Sequence, residues 1–435
     1  VVFPTTASRL YPDTVSIRAS DALREQVLRQ CTHWREAASR IGDLDNFAAA
    51  EAWQRLERYL GVSLRRSLLT AVEALMKDAE RLDSRARRAR TEEEFELVRQ
   101  DVVTFRNRYM QTEMVLDFYG QAVNTRTNPK VAAILRACDT MARKSMEAIL
   151  EPLGKPVPLV LTYIHSGLGA SILKAGLRLW DGTTYSAVAA IKIVWHNLLR
   201  PTSLIHEAGH QIAGLTGWNE ELALAFRQRL SLRSPEVADM WASWSSEIAA
   251  DAIAFAHTGY AAVAGIHDVL AGNANFVYQN RLGDPHPISF LRVLMNVEMC
   301  RLYFGRGPWD DLALAWQRSY PIHQVSALER PLLEKSMKIL PDIAEICLTM
   351  PMKAFGGRPL QALVNPGRVS PQALDALVKQ AGSALFTSTH WVGTECLRLL
   401  ALSGMRLSHD SAGMREVLRE QDDWMIRLGM MAEPI

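Results

Sequence analysis

Two histidines four residues apart, with a glutamate beside the first, mark the segment His206-Glu207-Ala208-Gly209-His210. On a helix this spacing puts both imidazoles on one face, a turn apart, where they can direct nitrogens at a single ion. Glu207 projects beside that face, placed to hold a water next to the ion rather than to bind the ion itself. The flanks predict the helix: Pro201 and Thr202 suit its first turn, Gly214 and Gly217 its end.

A third ligand is needed. Metzincin-type zinc proteases would continue with a glycine at 213 and a histidine at 216, but this chain has Ala213 and Thr216, which excludes that class. The alternative is a glutamate on a later helix. Ser234-Pro235-Glu236 reads as a cap, a first-turn proline and a first-turn acid, launching a helix that Gly259 ends. Within it, Glu247 and Asp251 share a stripe with Met240, Trp244 and Phe255. Carboxylates in such a stripe cost several kcal/mol each to bury without partners. A divalent cation bound by Glu247 supplies one partner. The second ring nitrogen of a metal-bound histidine, donating to Asp251, supplies the other.

The pattern His206-Glu207-x-x-His210 followed by Glu247-x-x-x-Asp251 resembles the gluzincin metallopeptidases. That resemblance implies His206, His210 and Glu247 as zinc ligands, Glu207 as catalytic base and Asp251 as the partner of His206. Further on, His286-Pro287 and Arg292 look like the His-Pro-x-x-x-x-Arg element of the HtpX- and CAAX-prenyl-protease-like branch. By that likeness His286 hydrogen-bonds a developing oxyanion, and Arg292 braces Asp251 or the ligand glutamate. Members of that branch are typically membrane proteins. This chain has no apolar run of the ~18–20 residues a spanning helix needs, so it is similar to a soluble gluzincin core with helical additions. The resemblance covers about Leu159 to Arg292.

Three protein ligands leave a fourth zinc position open, the arrangement of a catalytic site. The expected function is a zinc-dependent peptidase, one Zn2+ per chain, with Glu207 assisting attack of metal-activated water on a peptide carbonyl. His286 is the first choice to stabilise the oxyanion, with Tyr260 and His257 behind it; His165 and His196 read as ordinary packed histidines. Two other classes compete. The same ligands suit a non-haem Fe(II) oxygenase, although a base and a braced histidine serve hydrolysis better. A helical binding protein using the metal only for stability is the other.

The remaining chain must position this site. From Ser20, a plausible cap, to about Leu153 it reads as successive helices, one of them with Trp53, Leu56, Leu60 and Val62 as its apolar residues. The arginine run 85–90 closes one helix, and Thr91 with Glu94 opens the next as a capping box. Val157–Ile164, bounded by Pro156 and the Gly167/Gly169 pair, reads as a strand, and Val188–Trp195 as a second. Lys192 marks the second as an edge or half-exposed strand, and the resemblance makes it the edge that pairs with extended peptide substrate. Helices return at Pro201 and continue to the end. The expected fold is mainly α with a small β-sheet (α+β): a helical N-terminal domain over 1–155, a zincin-like metallopeptidase core over 156–304 and a helical C-terminal region over 305–435.

Composition bounds the partners. Of 435 residues 48% are hydrophobic, ample for a core, and 49 basic against 47 acidic side chains give a charge of only +2. That offers no electrostatic footprint for nucleic acid or an anionic membrane. A peptide or protein substrate is the expected partner. Five dispersed cysteines without a CxxC pair make a reducing compartment, by default the cytoplasm, the expected location, and Val1-Val2-Phe3-Pro4 does not read as a secretion signal.

Overall fold

The computed structural model describes residues 19–166, 170–174, 188–281, 283–327, 329–409 and 413–432. The start of the chain and the Gly167/Gly169 pair lie outside them, as does the side chain of Ser20. The fold is mostly helical with one small sheet, as the sequence leads one to expect. Among the described residues no helix is long and apolar enough to cross a membrane.

Two compact units divide the described residues, one built within 19–47 and 63–117, the other within 48–62, 118–174 and 188–432. The expected breaks at 155 and 304 fall elsewhere, because segments on both sides of each pack into the second unit. The first unit contains helices α1 (Ala19–Ile41), α3 (Leu64–Arg88) and the start of α4 (Glu92–Asn124). Two arginines of its run engage neighbouring acids: Arg87 bonds Asp83 at 2.9 Å, and Arg85 pairs with Asp101. The Thr91 capping box forms, with Glu94 N–H donating to Thr91 Oγ1 and Thr91 N–H to Glu94 Oε2, each at 3.2 Å.

The second unit carries the candidate site. It includes α2 (Ala50–Leu60), with Trp53, Leu56 and Leu60 buried, and α5 (Pro129–Leu150). Strand β1 (Leu159–Ile164) pairs in parallel with β3 (Val188–Ile193), and β2 (Ser171–Leu173) pairs antiparallel on the other side of β3. The order β1-β3-β2 makes β3 the central strand, which corrects the expected edge. Its five apolar residues are buried and Lys192 is half-buried, as two-sided coverage of a strand dictates. Buried Asp139 of α5 locks β1 in place. It accepts from Thr162 N–H at 2.6 Å, Tyr59 OH at 3.0 Å and Arg126 Nη2 at 2.7 Å.

A short 3-10 segment leads from β3 into α6 (Thr202–Thr216), which Gly217 ends at φ 75°. Next come α7 (Trp218–Leu230), α8 (Pro235–Ser243), α9 (Ser245–Thr258) and α10 (Tyr260–Leu270). The single helix expected from Pro235 to Gly259 is therefore two. Trp244 leaves helical geometry at φ −95°, ψ 5°, and its ring packs edge-on against Trp241, 5.4 Å between centroids, with both indoles buried. Met240 thus belongs to a different helix from Glu247. After the short α11 (Ala274–Val277), α12 (Ser289–Phe304) crosses α9, and helices α13 (Pro308–Ser319) through α20 (Met414–Met431) complete the unit; α19 is Thr389–His409.

Candidate metal centre

Helices α6 and α9 approach closely because glycine and alanine meet where they cross. A Cβ on Gly209 would lie 2.9 Å from Ala250 Cα, closer than real side chains come. Gly209→Val is accordingly expected to cost about 1–3 kcal/mol, more than the few tenths its helix propensity returns. It should also weaken zinc binding, since Glu247 rides on α9. Chemical unfolding and zinc titration check both, and unchanged values would mean the contact does not set the site.

Across this contact, His206 and His210 of α6 meet Glu247 in the first turn of α9, near the helix N-terminus, where a carboxylate is favoured. His206 Nε2 lies 3.4 Å from Glu247 Oε2, and His210 Nε2 lies 3.2 Å from Glu247 Oε1. One ligand atom from each of the three residues falls within 4.8 Å of the others, so the group could hold a metal ion. The donor set, two imidazoles and a carboxylate, suits zinc or another divalent transition metal.

The outer partners are in place. Asp251 Oδ1 lies 2.8 Å from His206 Nδ1. Arg292 forks onto Asp251, donating from Nε and Nη2 at 2.8 Å each, and its Nη2 is also 3.0 Å from Glu247 Oε2. It thus braces both carboxylates. Asn296 Nδ2 donates to Asp251 Oδ2 at 3.2 Å and to the Arg292 carbonyl at 3.0 Å. Ser246 Oγ sits 3.3 Å from His210 Nδ1. Neither Asn296 nor Ser246 was anticipated, although Asn296 stands one helical turn after Arg292 and was open to the same spacing argument.

Charge accounts for the shifts in protonation. Glu207, Glu247 and Asp251 are buried around one buried guanidinium, Arg292, with the imidazoles of His206 and His210 beside Glu247. Burial opposes ionisation of Glu247, but Arg292 and the two histidines hold it well below the usual carboxylate range. Against the same burial, Arg292 and His206 hold Asp251 at about 2. For Glu207 burial prevails over the nearby histidines and raises its pKa. Burial works against protonated His206, yet its bonds to Asp251 and Glu247 push it up to about 10.

A metal ion bound by this group would have to displace a proton from His206 Nε2, with Nδ1–H remaining on Asp251. Zinc affinity is expected to rise about tenfold per pH unit between about pH 7 and 9, with roughly one proton released per ion. In the metal-free protein the sign reverses. The stability contributed by protonated His206 is fully present below the unfolded value of 6.5 and is lost as pH climbs through about 10. Calorimetry in buffers of different ionisation enthalpy measures the released proton, and a pH-independent affinity would contradict this protonation scheme.

A cavity of about 430 Å³ opens on these residues, lined by His206, Glu207, Glu247, Asp251, His286 and Arg292 at one end. His286 is well exposed, with Nε2 3.8 Å from Glu247 Oε1 and Nδ1 2.7 Å from Asp284 Oδ1. The structure brings it to the ligands, with Asp284 as an unanticipated orienting partner. Tyr260 and His257 are corrections. Tyr260 is buried edge-on against Trp309, its hydroxyl pushed up to about 12 by burial, and it does not line the cavity. His257 is buried, drawn down to about 4 by desolvation, and likewise absent from the lining. Both face core because apolar neighbours surround the end of α9 and the start of α10. His165 is half-buried, with Nδ1 near the Ser166 carbonyl, whereas His196 is exposed and lines the cavity rather than packing in the core.

Comparison of the chain with family models, curated proteins and solved structures returns no match.

Proposed function

We propose that this chain is a zinc-dependent peptidase of the gluzincin kind. The observation that carries the proposal is the convergence of His206, His210 and Glu247 with a fourth side chain, Glu207, buried at the same cavity but outside the ligand set. A zinc ion held by the three ligands supplies Lewis acidity, polarising a carbonyl and lowering the pKa of a coordinated water.

The protein's own residues do the rest. Glu207 accepts the proton of the attacking water and returns it to the departing amine, and its raised pKa brings it nearer the working range of such a base. Asp251 fixes the His206 tautomer by holding Nδ1–H, which leaves Nε2 as the nitrogen that would take the ion. Arg292 and Asn296 keep Asp251 from turning. His286, oriented by Asp284, stands beside Glu247 at the open side, where its Nε2–H can donate to an oxyanion. An iron oxygenase would have no use for the buried Glu207, which favours hydrolysis over that chemistry.

The test is hydrolysis of an unfolded protein substrate before and after chelation, followed by readdition of zinc. Activity should vanish with the metal and return with zinc. Cleavage that survives complete removal of the metal would contradict the proposal.

A further inference from the structure

The cavity does not stop at the metal centre. It continues between the 3-10 segment before α6, helix α10 and the ends of α19 and α20, where Leu199, Ile266, Val269, Leu407, Met414 and Leu418 form the wall. Three of these, Leu199, Val269 and Met414, are large apolar side chains exposed to solvent at 53%, 47% and 38%. Apolar exposure continuous with a polar reaction centre marks a ligand surface more often than chance packing.

The charged groups in this stretch are already engaged. Arg200 pairs with Asp268, and its Nη2 also donates to the Leu407 carbonyl at 3.3 Å. Asp268 is further contacted by His267 Nδ1 at 3.2 Å. Asn197 accepts the Val194 N–H at 3.1 Å. A charged substrate group entering this end would lose water and would have to compete with existing partners, whereas an apolar one loses only unfavourable hydration. The volume, about 430 Å³, lies in the range of small-ligand pockets. It admits a short extended segment and excludes a folded domain.

We infer that the site takes extended peptides bearing a large apolar side chain, leucine, methionine or phenylalanine, next to the scissile bond, with that side chain seated among Ile266, Leu407, Met414 and Leu418. This rests on the peptidase proposal for the reaction, but the binding preference is independent of turnover. Specificity then comes from the C-terminal helices, although the metal ligands lie on α6 and α9.

The experiment uses blocked pentapeptides acetyl-Gly-Ala-X-Ala-Gly-amide with X as leucine, phenylalanine, aspartate or lysine. Their binding to full-length Glu207→Gln protein, zinc-loaded and metal-free, is measured by calorimetry, and their cleavage by zinc-loaded wild type in parallel. The apolar peptides should bind about 10- to 100-fold more tightly than the charged ones, with or without zinc. Met414→Asp should cut that preference at least about tenfold. The variant places an acid in the exposed first turn of α20, a position the helix dipole favours, so folding is preserved. Equal binding, no binding, or a preference unmoved by Met414→Asp overturns the inference, while cleavage without preference leaves the peptidase proposal intact. Selective apolar binding with no cleavage of any peptide supports the pocket and counts against the peptidase proposal.

Discussion

Glu207→Gln should lower the turnover number by about 10³-fold while zinc stays bound at one ion per chain. Glutamine keeps the size and hydrogen-bonding reach of glutamate but cannot take a proton, and general-base catalysis contributes about 10²–10⁴-fold. Glu207 lies outside the ligand group, so the metal does not depend on it. Its burial makes the substitution tolerable as well, because a neutral amide is cheaper to bury than a carboxylate. Steady-state kinetics on a protein substrate, with metal content measured on the same sample, check the split. Wild-type turnover in the variant would remove Glu207 from the reaction.

Arg292→Leu has the second large expected effect, on stability. Arg292 is the buried guanidinium among Glu207, Glu247 and Asp251, and it touches two of the three. Removing one member of a buried ion pair costs about 3–5 kcal/mol because the other is left uncompensated, and here two carboxylates are left. Zinc restores positive charge beside them, so added zinc should raise the unfolding midpoint more in the variant than in wild type. Arg292→Lys should fall between, keeping the charge but losing the fork onto Asp251. Urea unfolding of the three proteins with and without zinc reads this directly. A loss below about 1 kcal/mol in Arg292→Leu, or an equal zinc response, would mean the guanidinium is not neutralising this cluster.

Much of the site is legible in the chain because helix periodicity is a local property. His206 and His210 share a face by spacing alone, and Glu247 and Asp251 declare themselves as acids in an apolar run. The structure brings all four together. What failed to show depends on contacts between distant segments. Trp244 is neither glycine nor proline, so nothing in its residue type announces the break at that position. The central place of β3 depends on β2, a strand of only three residues that carries almost no periodic signal. The cavity wall contributed by Leu407, Met414 and Leu418 exists only once the C-terminal helices fold back beside α10. Tyr260 follows the ligand helix directly in sequence, yet nearness along the chain says nothing about which side of the next helix faces the cavity.

The central claim is that His206, His210 and Glu247 together hold one catalytic ion. Its most direct test is the metal content of wild type, Glu247→Ala and Glu207→Gln after zinc loading and exhaustive dialysis. The expected result is one zinc per chain in wild type and in Glu207→Gln, with far less in Glu247→Ala, where only the two imidazoles remain. Equal zinc in all three proteins, or none retained by wild type, would contradict it.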